Sequence, residues 1–418
     1  MIERLYDRAF ASRNENGLRI LVEEDPQSRS VSVGIWIGVG SRDDPKPCAG
    51  LAHFIEHLAF KGTATRDAAD ISREIDSVGG HLNAATGRES TVFYADVPAE
   101  GLDVALDILT DLVQRPAFAP EKIDLERAVV LDEIRGHEDD PESVAFDRFI
   151  RGVWNDGHAL SRPVLGSRAD IEGVDAETIR TYHRNVFLPE RMVVAASGAV
   201  DAKAFIGAIS TRFEATAGNG QAAEIRKAPS FQAIRNHHER PTSQTHIYLA
   251  LPGPKADDAK RYELEVANVA LGDGTSSRLF RAVREERGLA YGVGSTVLRY
   301  TDAGLWMLYA ATASNQAPQV QSILEGEVAR LLDDPPSDAE VTLAKARLRG
   351  LYILGMESNA NRAMRLGTAA ITDREIRAHD AVLKKLDGVT TADVHAVIRR
   401  FSDPAKLHVT TVGAKPAS

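Results

Sequence analysis

One order of secondary-structure signals occurs twice along this chain, and that repetition limits its fold more than any single motif does. The first pass predicts a strand near 31–39, helices at 50–60 and 69–78, a Gly79-Gly80 turn, two strands within 81–97, and helices near 99–114 and 120–135. It ends on Thr178-Ile-Arg-Thr-Tyr-His-Arg-Asn-Val-Phe187 and the apolar strand Met192-Val-Val-Ala-Ala196. The second pass predicts a strand at 245–251, helices at about 260–271 and 276–287, strands near 290–299 and 304–312, and helices at 316–333 and 337–355. It ends on Thr391-Ala-Asp-Val-His-Ala-Val-Ile-Arg-Arg-Phe401 and Leu407-His-Val-Thr-Thr411, so the closing unit starts at Thr178 and again at Thr391, 213 residues later. A chain of 418 residues exceeds one ordinary core. The expectation is an α+β protein of two homologous domains from an internal duplication, each a mainly antiparallel sheet packed with helices. The stretch 214–240 carries Ala217-Gly-Asn-Gly220 and Lys227-Ala-Pro-Ser230, which read as a connection. We place the boundaries at 1–218, a linker at 219–240, and 241–418.

Chemistry concentrates in His53-Phe-Ile-Glu-His57. Leu51, Phe54, Ile55 and Leu58 recur at helical spacing and predict a core-facing stripe. His53 and His57 then lie one turn apart on another face, with Glu56 between them. Such a face offers two imidazole ligands to one metal ion and a carboxylate placed to take a proton from water. The order reverses the commoner His-Glu-x-x-His zinc motif and is the inverzincin signature. The plain alternative is a helix with two partly exposed histidines.

A catalytic zinc site requires three protein ligands and one open position. Residues 120–136 predict a helix, with Pro120 opening it, acids in its first turn and Gly136 ending it. Glu126 and Glu133 are seven residues apart and share a face with Val129 and Val130. A carboxylate in apolar company is costly without a partner, and a metal would be such a partner for Glu133. Glu126, two turns back, could hold a ligating histidine. Read without the upstream motif, both would be surface glutamates of an amphipathic helix.

On these residues the chain resembles the pitrilysin/insulinase family of zinc peptidases, which includes the mitochondrial processing peptidase. That family carries His-x-x-Glu-His and a ligand glutamate about 76 residues on, and Glu133 follows His57 by 76 positions. The likeness extends through Gly50-Leu-Ala-His-Phe-Ile-Glu-His-Leu-Ala-Phe-Lys-Gly-Thr63 and Gly80-His-Leu-Asn-Ala84 and covers essentially the whole chain. The resemblance implies one zinc ion per chain held by His53, His57 and Glu133, Glu56 as general base, and Glu126 as the acid behind a ligand. It implies that Asn83 and Ala84 lie on an edge strand that binds peptide by β-augmentation. It also implies that Arg284 and Tyr291, within Arg284-Glu-Glu-Arg-Gly-Leu-Ala-Tyr291, reach over the substrate from the second half. There an arginine would grip a carbonyl or carboxylate and a phenol would donate to an oxyanion. Without the motif, the same two residues read as an exposed helical arginine and a packed strand tyrosine.

The second copy cannot repeat the metal site, because Arg261-Tyr-Glu-Leu-Glu-Val-Ala-Asn-Val-Ala-Leu271 holds no histidine. Full-length relatives of the insulin-degrading type carry four such domains in a clamshell. The two predicted here resemble half-length members that pair, and a homodimer with sites completed in trans is the simplest expectation. Its chamber would admit unfolded peptides, including presequence-like segments. The alternative is a non-catalytic or partner-dependent subunit of a heterodimeric processing peptidase.

The net charge of −10 argues against nucleic acid as a partner. No apolar run is long enough to span a membrane. A single cysteine, Cys48, fits a reducing compartment and reads as a structural thiol. The first residues lack a secretory apolar region and hold Glu3 and Asp7, so the expected location is a bacterial cytoplasm. Weaker signals have plainer readings. His81 reads as a structural or substrate-contacting histidine, and His237-His238-Glu239 as a solvated patch. Gly272-Asp-Gly-Thr-Ser-Ser277 reads as a helix cap rather than a phosphate loop, and His137-Glu-Asp-Asp-Pro-Glu142 as an acidic turn. Gly34, Gly38 and Gly40 have no dinucleotide-binding spacing.

Overall fold

The structure is a computed structural model that describes residues 1–155, 157–216, 226–372 and 374–414. The first part of the predicted linker, 219–225, lies outside the described residues.

Two compact units emerge, and they do not follow the predicted halves of the chain. The first comprises Met1–Arg135, Pro163–Ile225 and Leu354–Ala378; the second comprises Gly136–Arg162, Arg226–Ile353 and His379–Ser418. The physical reason lies on the sheets' second faces, each of which is covered by a helix from the other half of the chain.

The first unit is built on seven strands: β1 (Ile2–Tyr6), β2 (Ala9–Arg13), β3 (Arg19–Glu24), β4 (Ser30–Ile37), β5 (His81–Thr86), β6 (Thr91–Pro98) and β7 (Met192–Gly198). Their order is β1-β2-β3-β7-β4-β6-β5, antiparallel throughout except for β3 beside β7. On one face pack α1 (Leu51–Ala59), α2 (Ala68–Ser77), α3 (Leu102–Gln114) and α4 (Pro120–Asp139), whose apolar sides share one core with Ile35, Phe93 and Val194. On the other face Leu366 and Ala370 of helix Asn359–Ile371 meet Leu21, Trp36 and Val193. Gly367 makes that approach possible, since a Cβ there would stand 2.3 Å from the Trp36 ring.

The second unit has β8 (Arg235–Glu239), β9 (Gln244–Pro252), β10 (Ala290–Arg299), β11 (Gly304–Ala313) and β12 (His408–Gly413), in the order β10-β11-β9-β12-β8. Only β8 and β12 run parallel. The duplication is therefore written in topology: β8-β12-β9-β11-β10 repeats β3-β7-β4-β6-β5, parallel pair included. Its second face is covered by α5 (Pro141–Val153), whose Phe149 and Ile150 pack with Tyr248, Leu305 and Met307.

Three local expectations need correction. β8 occupies part of the predicted linker; its Arg-Asn-His-His-Glu sequence has no apolar residue because it is a sheet edge, where charge is tolerated and protective. His237 accordingly pairs with Thr411 Oγ1 at 2.8 Å rather than lying free. Helix α4 runs past Gly136 to Asp139, and the stop comes from Pro141, with Asp140 capping the next helix. Half of the predicted helix 276–287 is π-helical, over Phe280–Glu285, and Ser277 Oγ accepts from the Phe280 N–H at 3.4 Å where the cap was expected.

Candidate metal centre

Helix α1 is anchored before it carries chemistry. Asp44 accepts from the Gly50 and Ala52 N–H groups at 2.8 and 3.0 Å, and from the Tyr182 hydroxyl at 3.1 Å. Gly50 adopts φ +92° there, with Leu165 O only 2.4 Å from where a Cβ would be, so glycine is required. Leu51, Phe54, Ile55 and Leu58 are buried, as the predicted stripe demands. Helix α4 is held alongside by Ile123, Val130 and Ile134 in the same core and by the Arg127 guanidinium 5.5 Å over the Phe54 ring.

This packing brings His53, His57 and Glu133 together, with one ligand atom from each within 4.8 Å of the others. Glu133 Oε2 stands 3.4 Å from His57 Nε2 and 3.8 Å from His53 Nε2. Two ligands on one tetrahedral zinc with bonds of about 2.0–2.1 Å are about 3.4 Å apart, so the donor set has the right size. Its chemistry fits as well. The His57 Nδ1–H donates to Glu126 Oε1 at 2.9 Å, which leaves the Nε2 lone pair facing the carboxylate oxygen. Burial, then the neighbouring His57, lowers the His53 pKa to about 4, keeping it in the neutral form that ligates. Facing lone pairs of this kind repel unless a cation lies among them. His53 Nδ1 is buried and has no hydrogen-bond partner among the described residues.

Glu56 lies beside this set and is half-buried. Burial raises its pKa, and a hydrogen bond from Thr86 opposes that rise. Glu126 is 4% exposed, and its second oxygen accepts from Lys61 Nζ at 2.8 Å. Of the two valines predicted to share its face, Val130 is buried whereas Val129 is 49% exposed. Lys61 and Thr86 are site residues that sequence reasoning missed. A lysine just past a helix end reads as an ordinary partner of the helix dipole. A threonine in a strand reads as β-propensity; only the alternation of β5, with Leu82, Ala84 and Thr86 on its less exposed side, could have raised it.

β5 is the last strand of its sheet, so Asn83 and Ala84 do lie on an edge. The Asn83 side-chain oxygen accepts from the Ala84 N–H at 2.8 Å. His81 is exposed on the same strand. Arg284 and Tyr291 belong to the second unit and pair with each other. The guanidinium lies 4.2 Å over the Tyr291 ring and 5.0 Å over that of Phe280, and donates to the Tyr291 carbonyl at 3.2 Å. Tyr291 is 81% exposed, so it is not a packed strand tyrosine.

Comparison with known proteins shows the family. Residues 19–168 match the family model described as insulinase (peptidase family M16), and residues 173–348 match one described as the peptidase M16 inactive domain. An uncharacterized zinc protease of Mycobacterium leprae is 38% identical over 389 residues, 92% of this chain and 87% of that protein. An uncharacterized zinc protease of Bacillus subtilis is 32% identical over 387 residues, 93% of this chain and 94% of the other. In fold, the chain is similar to a protease from Helicobacter pylori (TM-score 0.91, 19% identity, 98% of this chain and 99% of that one). It is also similar to a peptidase M16 inactive domain from Pseudomonas fluorescens (TM-score 0.90, 20% identity, 98% and 99%). Among the described residues no helix is long and apolar enough to cross a membrane. The chain belongs to the insulinase family of peptidases, peptidase family M16.

Proposed function

We propose that this chain is a zinc-dependent endopeptidase of the bacterial cytoplasm that cleaves unfolded peptides, presequence-like segments among them, inside a homodimeric clamshell. The observation that carries this reading is the convergence of His53, His57 and Glu133 within 4.8 Å, with Glu56 beside them. When bound, zinc supplies a Lewis acid for the scissile carbonyl and acidifies water towards a pKa of about 7. Glu56 takes the proton of the attacking water, keeps it, and returns it to the leaving amine. Its raised proton affinity suits a group that must hold that proton until the C–N bond breaks. Glu126 fixes the His57 tautomer through Nδ1. A peptide adds to the edge of β5, its carbonyl replacing the Asn83 oxygen on the Ala84 N–H. Main-chain pairing of this sort tolerates many side chains. Arg284 grips a substrate carbonyl or carboxylate, and Tyr291 donates to the tetrahedral oxyanion. Because one chain carries both the metal ligands and the Arg284/Tyr291 pair, two copies completing each other's sites is the simplest arrangement.

The test is the purified chain alone, with zinc content measured beside cleavage of a fluorescence-quenched unstructured peptide. One zinc per chain, cleavage abolished by a chelator and restored by zinc, and a zinc-loaded but inactive Glu56→Gln variant are expected. A zinc-loaded chain that cleaves nothing by itself would instead favour a partner-dependent subunit.

A further inference from the structure

Strand β5 does more than present an edge. Leu82, Ala84 and Thr86 occupy its less exposed side, and Thr86, its last residue, reaches Glu56 with Oγ1 2.5 Å from Oε2. The hydroxyl has one proton and two acceptors within range. Thr91 Oγ1 is the other, at 3.3 Å. Thr91 sends its own proton to the Val39 carbonyl at 3.1 Å, so its oxygen remains free to accept from Thr86. The carboxylate wins that contest, being 0.8 Å nearer by those two distances and charged, and charge-assisted hydrogen bonds are roughly twice as strong as neutral ones.

We infer that Thr86 is a positioning residue for the catalytic base, holding the Glu56 carboxylate beside the metal ligands from the strand proposed to receive the peptide. Among the described residues Glu56 makes no side-chain hydrogen bond except with Thr86, whose backbone N–H also turns towards the carboxylate, so one residue aims the base. Since Thr86 lies two positions beyond Ala84 on one strand, the group that pairs with substrate and the group that aims the base share one rigid element. The inference rests on the peptidase reading above.

Thr86→Val keeps the shape and removes the donor; Thr86→Ser keeps the donor. With the same quenched peptide, Thr86→Val should lose 10- to 100-fold in kcat, an order of magnitude suited to a misaimed general base. KM should stay within about twofold and zinc content should be unchanged, and Thr86→Ser should recover most of kcat. A crystal structure of zinc-loaded Thr86→Val should show the Glu56 carboxylate turned from its place beside the histidines. An unchanged kcat in Thr86→Val, a Thr86→Ser as slow as Thr86→Val, or a Glu56 that has not moved would each overturn the inference. If wild type cleaves nothing, the peptidase reading fails, and the position of Glu56 in the valine variant still decides what Thr86 does.

Discussion

Glu126 and His57 form a hydrogen bond of 2.9 Å in which the acid is almost wholly buried and accepts the imidazole Nδ1 proton. The lone pair left on Nε2 is thereby aimed at Glu133, and Lys61 holds the acid's second oxygen at 2.8 Å. Partners placed behind a ligand typically alter metal affinity by about 10- to 100-fold. Glu126→Ala should therefore weaken zinc binding by that range in a chelator-competition titration while His53, His57 and Glu133 remain intact. Lys61→Met should weaken it less, because Glu126 keeps its bond to His57. Wild-type affinity in Glu126→Ala would remove the acid from the site.

A second histidine sets a pH dependence away from the metal. His183 Nε2 donates to the Val113 carbonyl at 2.9 Å, and its ring packs against Phe118 and Phe187. Burial, only partly offset by that bond, lowers its pKa to about 4. Above the unfolded value the ring is neutral in both states and contributes no pH dependence. Below it the unfolded chain binds the proton and the native one does not, so stability falls between about pH 6.5 and pH 4, by on the order of 2–3 kcal/mol. His183→Gln keeps a donor for Val113 and removes the titration. In metal-stripped protein its urea midpoint should fall less than that of wild type between pH 7.5 and 5; parallel pH profiles would show that His183 is not the group responsible.

What could be read from the sequence divides along physical lines. Periodicity found α1, because Leu51, Phe54, Ile55 and Leu58 all go to one core, and it found the paired order of strands. Motif and spacing singled out His53, His57 and Glu133, which the folded chain brings together. Periodicity could not find β8, whose residues are polar on both sides, nor the reach of α4 past Gly136, where nothing crowds the missing side chain. It could not foresee the exchanged helices either. An apolar stripe states that a helix needs a surface, not which sheet supplies it: Leu366 and Ala370 would read the same against any partner. Lys61 and Thr86 escaped for a related reason. Their partners are 65 and 30 residues away in the chain, Glu126 and Glu56 respectively, and no local pattern records such distances.

The exchanged helix provides its own test at Gly367. A Cβ at this position, on the buried face of the helix, would overlap the Trp36 ring, itself 2% exposed. Gly367→Ala should destabilise by about 1–3 kcal/mol, typical of overpacking, although alanine is the better helix former. The thermal midpoint should drop by several degrees, on the order of 2–4 °C per kcal/mol in a protein of this size. Adding Trp36→Leu should recover part of the loss, since the pair shares one contact. A Gly367→Ala protein as stable as wild type would mean that the helix does not lie against Trp36 in solution.

The proposed sharing of sites between two copies makes a quantitative prediction that neither single variant can mimic. A Glu56→Gln chain has no base but keeps Tyr291; a Tyr291→Phe chain keeps the base but lacks the phenol. Each homodimer should be slow. In a mixed dimer completed in trans, the intact Glu56 of one chain faces the partner subunit's Tyr291, while the other site lacks both groups. Equal amounts reassorted at random make half the dimers mixed, with one good site in two, so activity should rise to about a quarter of wild type. Completion in cis predicts no gain, because every chain then carries a defect at its own site. Mixing, reassociation and assay with the quenched peptide separate the two, and a mixture no faster than the average of its parents would reject sharing in trans.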